Sequence, residues 1–380
     1  MRKLMLVLSL VLAVGAAVPA AEAGPTQGGY TSDNVEYLSH VSFEAGTATG
    51  MKVVGDYLYI TSWKTFSIYD VSDPLNPEQM SMTPFGFKFE NEDVATNGKI
   101  MLFSEQLPQN ILHIWDVEDP ESPQEIAQLE GAGGHTSDCI LDCKYSYASG
   151  GVITDLRNPA KPKMVGDWSI DPKTKKDRPA ASAHDVNEVA PGMVLTSSRP
   201  IMYLDGRKDP AKPSLIALGD DDKITGGIHS NQWPNNAKDD FVMFSSESNG
   251  TGRCTGSNGA FMTWDARHYK KTNSFTLLDI YQLSNGTYQD GSPPVNGLGC
   301  SAHWFEQHPT FKNGGIVALG SYEHGTRFVD IAPGTGKIKE IGYFVPWGGS
   351  TSAAYWLTDE IVYAVDYSRG IDILRFKAKA

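Results

Sequence analysis

One unit recurs along this chain and limits what the chain can fold into. A clear copy reads Ala183-His184-Asp185-Val186, then Met193-Val194-Leu195, then Ile201-Met202-Tyr203-Leu204-Asp205, a turn Asp209-Pro210-Ala211-Lys212-Pro213, and last Ser214-Leu215-Ile216-Ala217-Leu218. Its apolar runs are short, alternate or run apolar throughout, and are bounded by Gly, Pro, Asn and Asp, which is the pattern of strands. Helical periodicity is nearly absent. Similar units run from about 47 to 83, 90 to 129, 134 to 168, 227 to 283 and 301 to 345, and a shorter last one holds three runs, 353–357, 360–365 and 370–374. Four-strand units of about 40 to 50 residues are the signature of a β-propeller. The last unit lacks a fourth strand, and an unpartnered strand at 35–43 supplies it, so the two termini close a ring without exposed sheet edges. The expectation is an all-β, seven-bladed propeller over 34–380, with six or eight blades, or a pair of β-sandwiches, as alternatives.

The N-terminus reads as an export signal. Arg2-Lys3 precedes an apolar run, 4–18, and Ala21-Glu22-Ala23 offers a small-x-small cleavage site. Cleavage is expected after Ala23, or alternatively after Ala20, leaving a flexible lead-in at 24–33. No later stretch is apolar enough to span a bilayer, so a secreted or periplasmic monomer is expected, with no membrane insertion after cleavage. The net charge of −13 argues against nucleic acid or anionic lipid as partners and leaves a small molecule or a cell-envelope protein.

Four cysteines in an exported chain imply two disulfides. Cys139 and Cys143 can face each other across a tight turn, which leaves Cys254 with Cys300; a thiolate metal site is the alternative.

The third strands read Ile68-Tyr69-Asp70-Val71, Ile114-Trp115-Asp116-Val117, Ile153-Thr154-Asp155-Leu156 and Phe328-Val329-Asp330-Ile331. The first three are followed by Asp/Asn-Pro-x-x-Pro turns at 73–77, 119–123 and 158–162. The chain thus resembles the LVIVD-repeat proteins, exported propellers mostly without an assigned activity. The resemblance implies fold and export and says little about chemistry. The last three units lack the full turn.

Chemistry enters when the starts of the inner strands are aligned. His135, His184, His229 and His303 fall at matching places, with Glu90 at that place in the second unit. In a propeller these starts converge on the mouth of the central channel. The loops between second and third strands share that face and carry Trp63, Glu105, Arg199, Glu247, His324 and Arg369. The four histidines, His324 and Glu90 are therefore candidate ligands for copper, zinc, iron or nickel, since neutral imidazole suits these ions. Polar residues three positions on (Asp93, Asp138, Asn187, Gln232 and Glu306) are expected to orient the rings. The competing reading is that each histidine braces its own blade. His40, His113, His268 and His308 are expected to be structural, exposed or pointed elsewhere. The expected function is binding of a small ligand, metal ion or partner at the mouth, with a metal-dependent enzyme or a scaffold as alternatives. Thiol titration of the unfolded, unreduced protein should find no free cysteine; any free thiol overturns the two-disulfide expectation.

Overall fold

The computed structural model describes residues 28–42, 48–86, 92–220, 222–248, 254–283 and 298–378. The expected export signal and most of the expected lead-in lie outside these residues. The fold is all-β, and the described residues hold only two four-residue helices, Pro234–Ala237 and Tyr269–Thr272. Each sequence unit is an antiparallel meander. The first comprises Ala48–Val54, Tyr57–Ser62, Thr65–Asp70 and Glu78–Pro84, paired in that order. The fourth and fifth units share one eight-stranded sheet, but only through a two-residue parallel contact, Leu218 with Ser274 and Gly219 with Phe275. In the last unit, Val35–Ser42 pairs with Gly370–Phe376 as its outer strand. Just before it, Gly29–Thr31 adds a fifth strand beside Ile338–Pro346 of the preceding unit.

The repeated aspartate ends its strand by turning the backbone. Asp70, Asp116, Asp155, Asp205 and Asp265 each accept a hydrogen bond from the backbone N–H two residues on, at 2.8–3.1 Å. This is the local Asx turn that a short carboxylate favours over continued extension. The turn aspartates Asp73, Asp119 and Asp209 repeat the device on Leu75, Glu121 and Ala211. The proline after each of these has no N–H to place, and its carbonyl is used between units. Ser81 of the first unit donates to Pro120 O of the second at 2.6 Å, and Tyr147 of the third to Pro210 O of the fourth at 2.6 Å. Tyr363 of the last unit donates to Pro74 O of the first at 2.7 Å.

Apolar burial follows the same order. Phe66 and Ile68 of the first unit pack with Met101 and Phe103 of the second. Tyr203 and Ile201 of the fourth pack with Phe244 and Trp264 of the fifth. Leu58 and Ile60 of the first unit also pack with Tyr363 and Ile371 of the last. The core therefore lies between meanders, where each alternating strand face is covered by the next unit.

Tyr363→Phe and Tyr147→Phe should each cost about 1 kcal/mol, because each strands a proline carbonyl without replacing its donor. The two losses should add in the double variant, as the sites share no partner. Denaturant midpoints with an unchanged slope would check this.

Candidate functional site

The inner strands carry side chains that bind the neighbouring unit. Thr136 Oγ1, one residue after His135, donates to the carbonyl of His184 at 2.7 Å. Ser230 Oγ, one residue after His229, donates to the carbonyl of His303 at 2.9 Å. The histidine backbones are held from within their own units as well, His184 N–H on Ser197 O and His303 N–H on Gly320 O, both at 2.9 Å.

The residues three positions on do not orient the rings, contrary to the sequence expectation. They clasp consecutive units through backbone groups. Asp138 accepts from Glu188 N–H at 2.7 Å, and Asn187 donates to Asn231 O at 2.7 Å. Gln232 donates to Phe305 O at 2.7 Å, and Glu306 accepts from Trp356 N–H at 2.7 Å. Three residues on along the strand, each of these four side chains lies beside the backbone of the next unit's inner strand.

With these backbones fixed, four histidines meet on one carboxylate. That carboxylate is Glu92; Glu90, the sequence candidate, lies outside the described residues. Glu92 Oε2 is 2.9 Å from His135 Nε2, 3.5 Å from His184 Nε2 and 3.8 Å from His229 Nε2. Its Oε1 is 2.8 Å from His303 Nε2 and accepts a hydrogen bond from Tyr367 O–H at 2.9 Å. His135 Nε2 and His184 Nε2 are 2.7 Å apart, so one ring donates to the lone pair of the other. The rings of His184, His229 and His303 follow one another with centroids 3.7 and 3.8 Å apart. Ligand atoms of Glu92, His184 and His229 all lie within 4.8 Å of one another, close enough to hold one metal ion. His324 is buried in the turn before Thr326–Ile331 and is not among the imidazoles gathered on Glu92.

Few partners orient the rings. His303 Nδ1 lies 2.7 Å from Ser352 O, and His135 Nδ1 lies 3.4 Å from Gln106 Oε1. His184 Nδ1 and both ring nitrogens of the fully buried His229 have no hydrogen-bond partner. An imidazole buried with neither nitrogen satisfied is costly, because its desolvation is uncompensated.

Electrostatics keep the cluster ready to bind a cation. Burial, then His303, pushes His229 down to about 4. Burial, then His229 and His135, holds His184 well below the ordinary imidazole range. Burial opposes ionisation of Glu92, but His303, then His135 and His229, hold it well below the usual carboxylate range. At neutral pH His184 and His229 thus present neutral imidazole lone pairs beside one carboxylate, which is the protonation state metal ligands require.

The other histidines serve the frame. His113 is buried between Glu105 and Glu125, at 2.9 and 2.7 Å. His40 lies 2.9 Å from Asp372, and His308 is 2.9 Å from Asp359 O and packs on Trp356. His268 is exposed ahead of Tyr269–Thr272. Of the expected mouth residues, Glu105 is taken by His113, Glu247 accepts from Tyr322 O–H at 2.7 Å, and Arg369 pairs with Asp372 at 2.7 Å. Sequence reasoning missed Glu92 and Tyr367. The second unit's inner strand is only Ala95–Thr96, so aligning strand starts does not single out Glu92. Tyr367 lies at the end of a second strand and carries no repeat signal.

The clasp at Glu306 yields a pH dependence. Burial raises its carboxyl to about 7, from 4.5. The folded state therefore binds more protons than the unfolded chain between those values, and this contribution to stability is lost as pH rises through about 7. Glu306→Gln keeps an oxygen for Trp356 N–H and removes the charge. It should flatten the stability profile over that range and gain roughly 1 to 2 kcal/mol at pH 8, less than the full shift because the side chain keeps some solvent contact. Denaturant unfolding at several pH values would check it.

A family model of the LVIVD repeat matches residues 45–82, the first unit. No curated protein sequence matches the chain. Among solved structures, the chain is similar to one titled YCF48 bound to D1 peptide, at 9% identity and a TM-score of 0.55, covering 92% of this chain and 98% of that one. It is similar to a chain of a mitotic checkpoint complex at 9% identity and a TM-score of 0.56, covering 97% and 98%. The WD40 repeats of RRP9 follow at 11% identity and a TM-score of 0.52, covering 92% and 99%. At these identities the likeness is one of fold: the chain is an all-β, β-propeller-like protein that carries an LVIVD repeat.

Proposed function

We propose that this chain is an exported, seven-bladed propeller that binds a transition-metal ion at the mouth of its central channel. Closure by the N-terminal strand is supported by its pairing with Gly370–Phe376, and by the apolar cluster and the Tyr363–Pro74 hydrogen bond that join the last unit to the first. Export is supported by the signal-like N-terminus and by the disulfides Cys139–Cys143 and Cys254–Cys300. Among the described residues, no helix is long and apolar enough to cross a membrane.

One observation carries the metal reading: four imidazole Nε2 atoms surround the Glu92 carboxylate, with neither nitrogen of the buried His229 in a hydrogen bond. If the histidines merely braced their blades, each ring would be satisfied within its own unit. Here the backbones are satisfied and the rings are turned toward each other. His135, His184 and His229 through Nε2, with Glu92, would hold the ion, and His303 approaches the same carboxylate. Nitrogen donors with one carboxylate suit copper, zinc, iron or nickel. A bound ion would supply Lewis acidity or, with copper or iron, a redox couple. Tyr367 fixes one carboxylate oxygen, leaving Oε2 to face three of the imidazoles.

Elemental analysis of protein purified without a metal-affinity tag should find about one equivalent of such an ion, falling below about a tenth in a His184→Ala/His229→Ala double variant. Protein that takes up no metal on reconstitution, with the double variant less stable than the parent, would sink the proposal and favour the structural reading.

A further inference from the structure

The first turn of the third unit is built against the preference of its residues. In the first, second and fourth units the chain leaves its inner strand through a glycine in the left-handed region, Gly55, Gly98 and Gly192, with φ of 60°, 82° and 71°. Glycine adopts that region without steric cost. Between Ser137–Ile140 and Tyr145–Ala148 the third unit has no glycine. Leu141, Asp142 and Cys143 are all left-handed there, with φ of 55°, 59° and 54°. The region is disfavoured for L-residues, least for aspartate and more for leucine and cysteine. The fifth unit also turns without glycine, but two of its three left-handed residues are Asn235 and Asn236, a type that tolerates the region.

The third unit's turn is held covalently, by Cys139–Cys143 across a sequence separation of 4. While that bond is closed the backbone has little room to leave the left-handed region. Once it opens the turn can relax, so the strain of these residues counts against the disulfide in thiol–disulfide exchange. Cys139 is half-buried and Cys143 is 2% exposed, so Cys139 is the sulfur an outside thiolate meets. The second disulfide differs: the left-handed residues beside Cys254 and Cys300 are Gly256, Gly259 and Gly299.

The same turn joins three units. Asn97 of the second donates to Asp142 O and Oδ1 at 3.3 and 3.0 Å. Leu141 N–H donates to Glu188 Oε1 of the fourth at 2.8 Å, and the same oxygen accepts from Gly192 N–H at 2.7 Å. Glu188 N–H in turn donates to Asp138, the neighbour of Cys139.

We infer that Cys139–Cys143 is a redox-reactive disulfide whose partner is a dithiol, and that opening it loosens the seam between the third and fourth units. A thiolate of the dithiol attacks Cys139 Sγ, the S–S bond breaks, and Cys143 leaves as a thiolate that takes up a proton. The second thiol, deprotonated, attacks the mixed disulfide and releases Cys139, which is protonated in turn. The dithiol ends as a disulfide, and two electrons and two protons have passed to the protein.

The test equilibrates the full mature chain, without denaturant, at graded ratios of reduced to oxidised dithiothreitol. Samples are quenched with acid, alkylated and read by peptide mass spectrometry. Cys139–Cys143 should be half-reduced at a ratio at least about tenfold lower than Cys254–Cys300 needs. Asp142→Gly removes one disfavoured residue and keeps the carbonyl that Asn97 reaches. It should raise the ratio required by roughly threefold and leave Cys254–Cys300 unmoved. In parent protein reduced at this pair, and in Cys139→Ser/Cys143→Ser, the amides of Leu141, Glu188 and Gly192 should exchange hydrogen at least about tenfold faster, with those of the last unit unchanged. A pair that needs as much reductant as Cys254–Cys300, that opens only with loss of the whole fold, or that is unmoved by Asp142→Gly would overturn the reactive disulfide. Unchanged exchange at the three amides would overturn its tie to the seam.

Discussion

Everything at the histidine cluster depends on how consecutive inner strands are joined. They do not share a hydrogen-bonded ladder; each belongs to its own meander, and between meanders side chains supplement a few backbone bonds, such as Trp304 N–H on Ser352 O at 3.2 Å and Ala183 N–H on Ser149 O at 2.9 Å. Asp138, Asn187, Gln232 and Glu306 do so in sequence, each reaching the backbone of the following unit. Thr136 and Ser230 add hydroxyl donors to the carbonyls of His184 and His303. Backbone polar groups left unpaired near the centre would each cost about 1 to 3 kcal/mol, so these bonds fix the spacing of the strands as well as joining them.

That completeness makes the histidine rings stand out. The chain satisfies the histidine backbones from two directions and leaves His229 with two idle nitrogens and His184 with one. Local rules are broken in this way where a site serves something outside the fold. His184 and His229, held neutral, also bring no charge to offset Glu92. The neighbouring carboxylates do not relieve it: burial, then Asp138, raises Asp93 to about 7, and burial, then Asp93, raises Asp185 well above the usual range. An added cation is the direct way to stabilise such an arrangement.

Much of this was legible in the sequence, for reasons that can be named. The meanders and their bounds followed from period-two apolar runs and from Asp and Pro at fixed offsets, because those residues act through local geometry that the chain carries with it. The partnership of 35–43 with the last unit came from counting strands. The four histidines came from aligning strand starts, since repetition turns a sequence offset into a shared place in space. The misses mark where that equivalence fails. Glu92 belongs to a unit whose inner strand is cut to two residues, so the offset slips. The residues three positions on from the histidines were assigned to the rings because spacing alone gives reach and not direction. Tyr367 and Trp304 come from positions with no repeated counterpart, and only packing brings them to the cluster.

The asymmetry of the site follows from the same geometry. In the fifth and sixth units, His229 and His303 are overlaid by aromatic groups that the other units lack: Trp304 beside His229, and Tyr322 with Tyr367 beside His303. Both phenols are spent on carboxylates, Tyr322 on Glu247 and Tyr367 on Glu92, so they seal without adding charge. In the third and fourth units His135 and His184 stay partly exposed, with Trp304 farther off, 6.4 Å from His184. A set of near-equivalent units thus yields a one-sided cup where the sixth and seventh depart from the repeat. Function on a repeat scaffold arises by that route: the repeat sets where side chains meet, and departures from it decide which of them solvent or a ligand can reach.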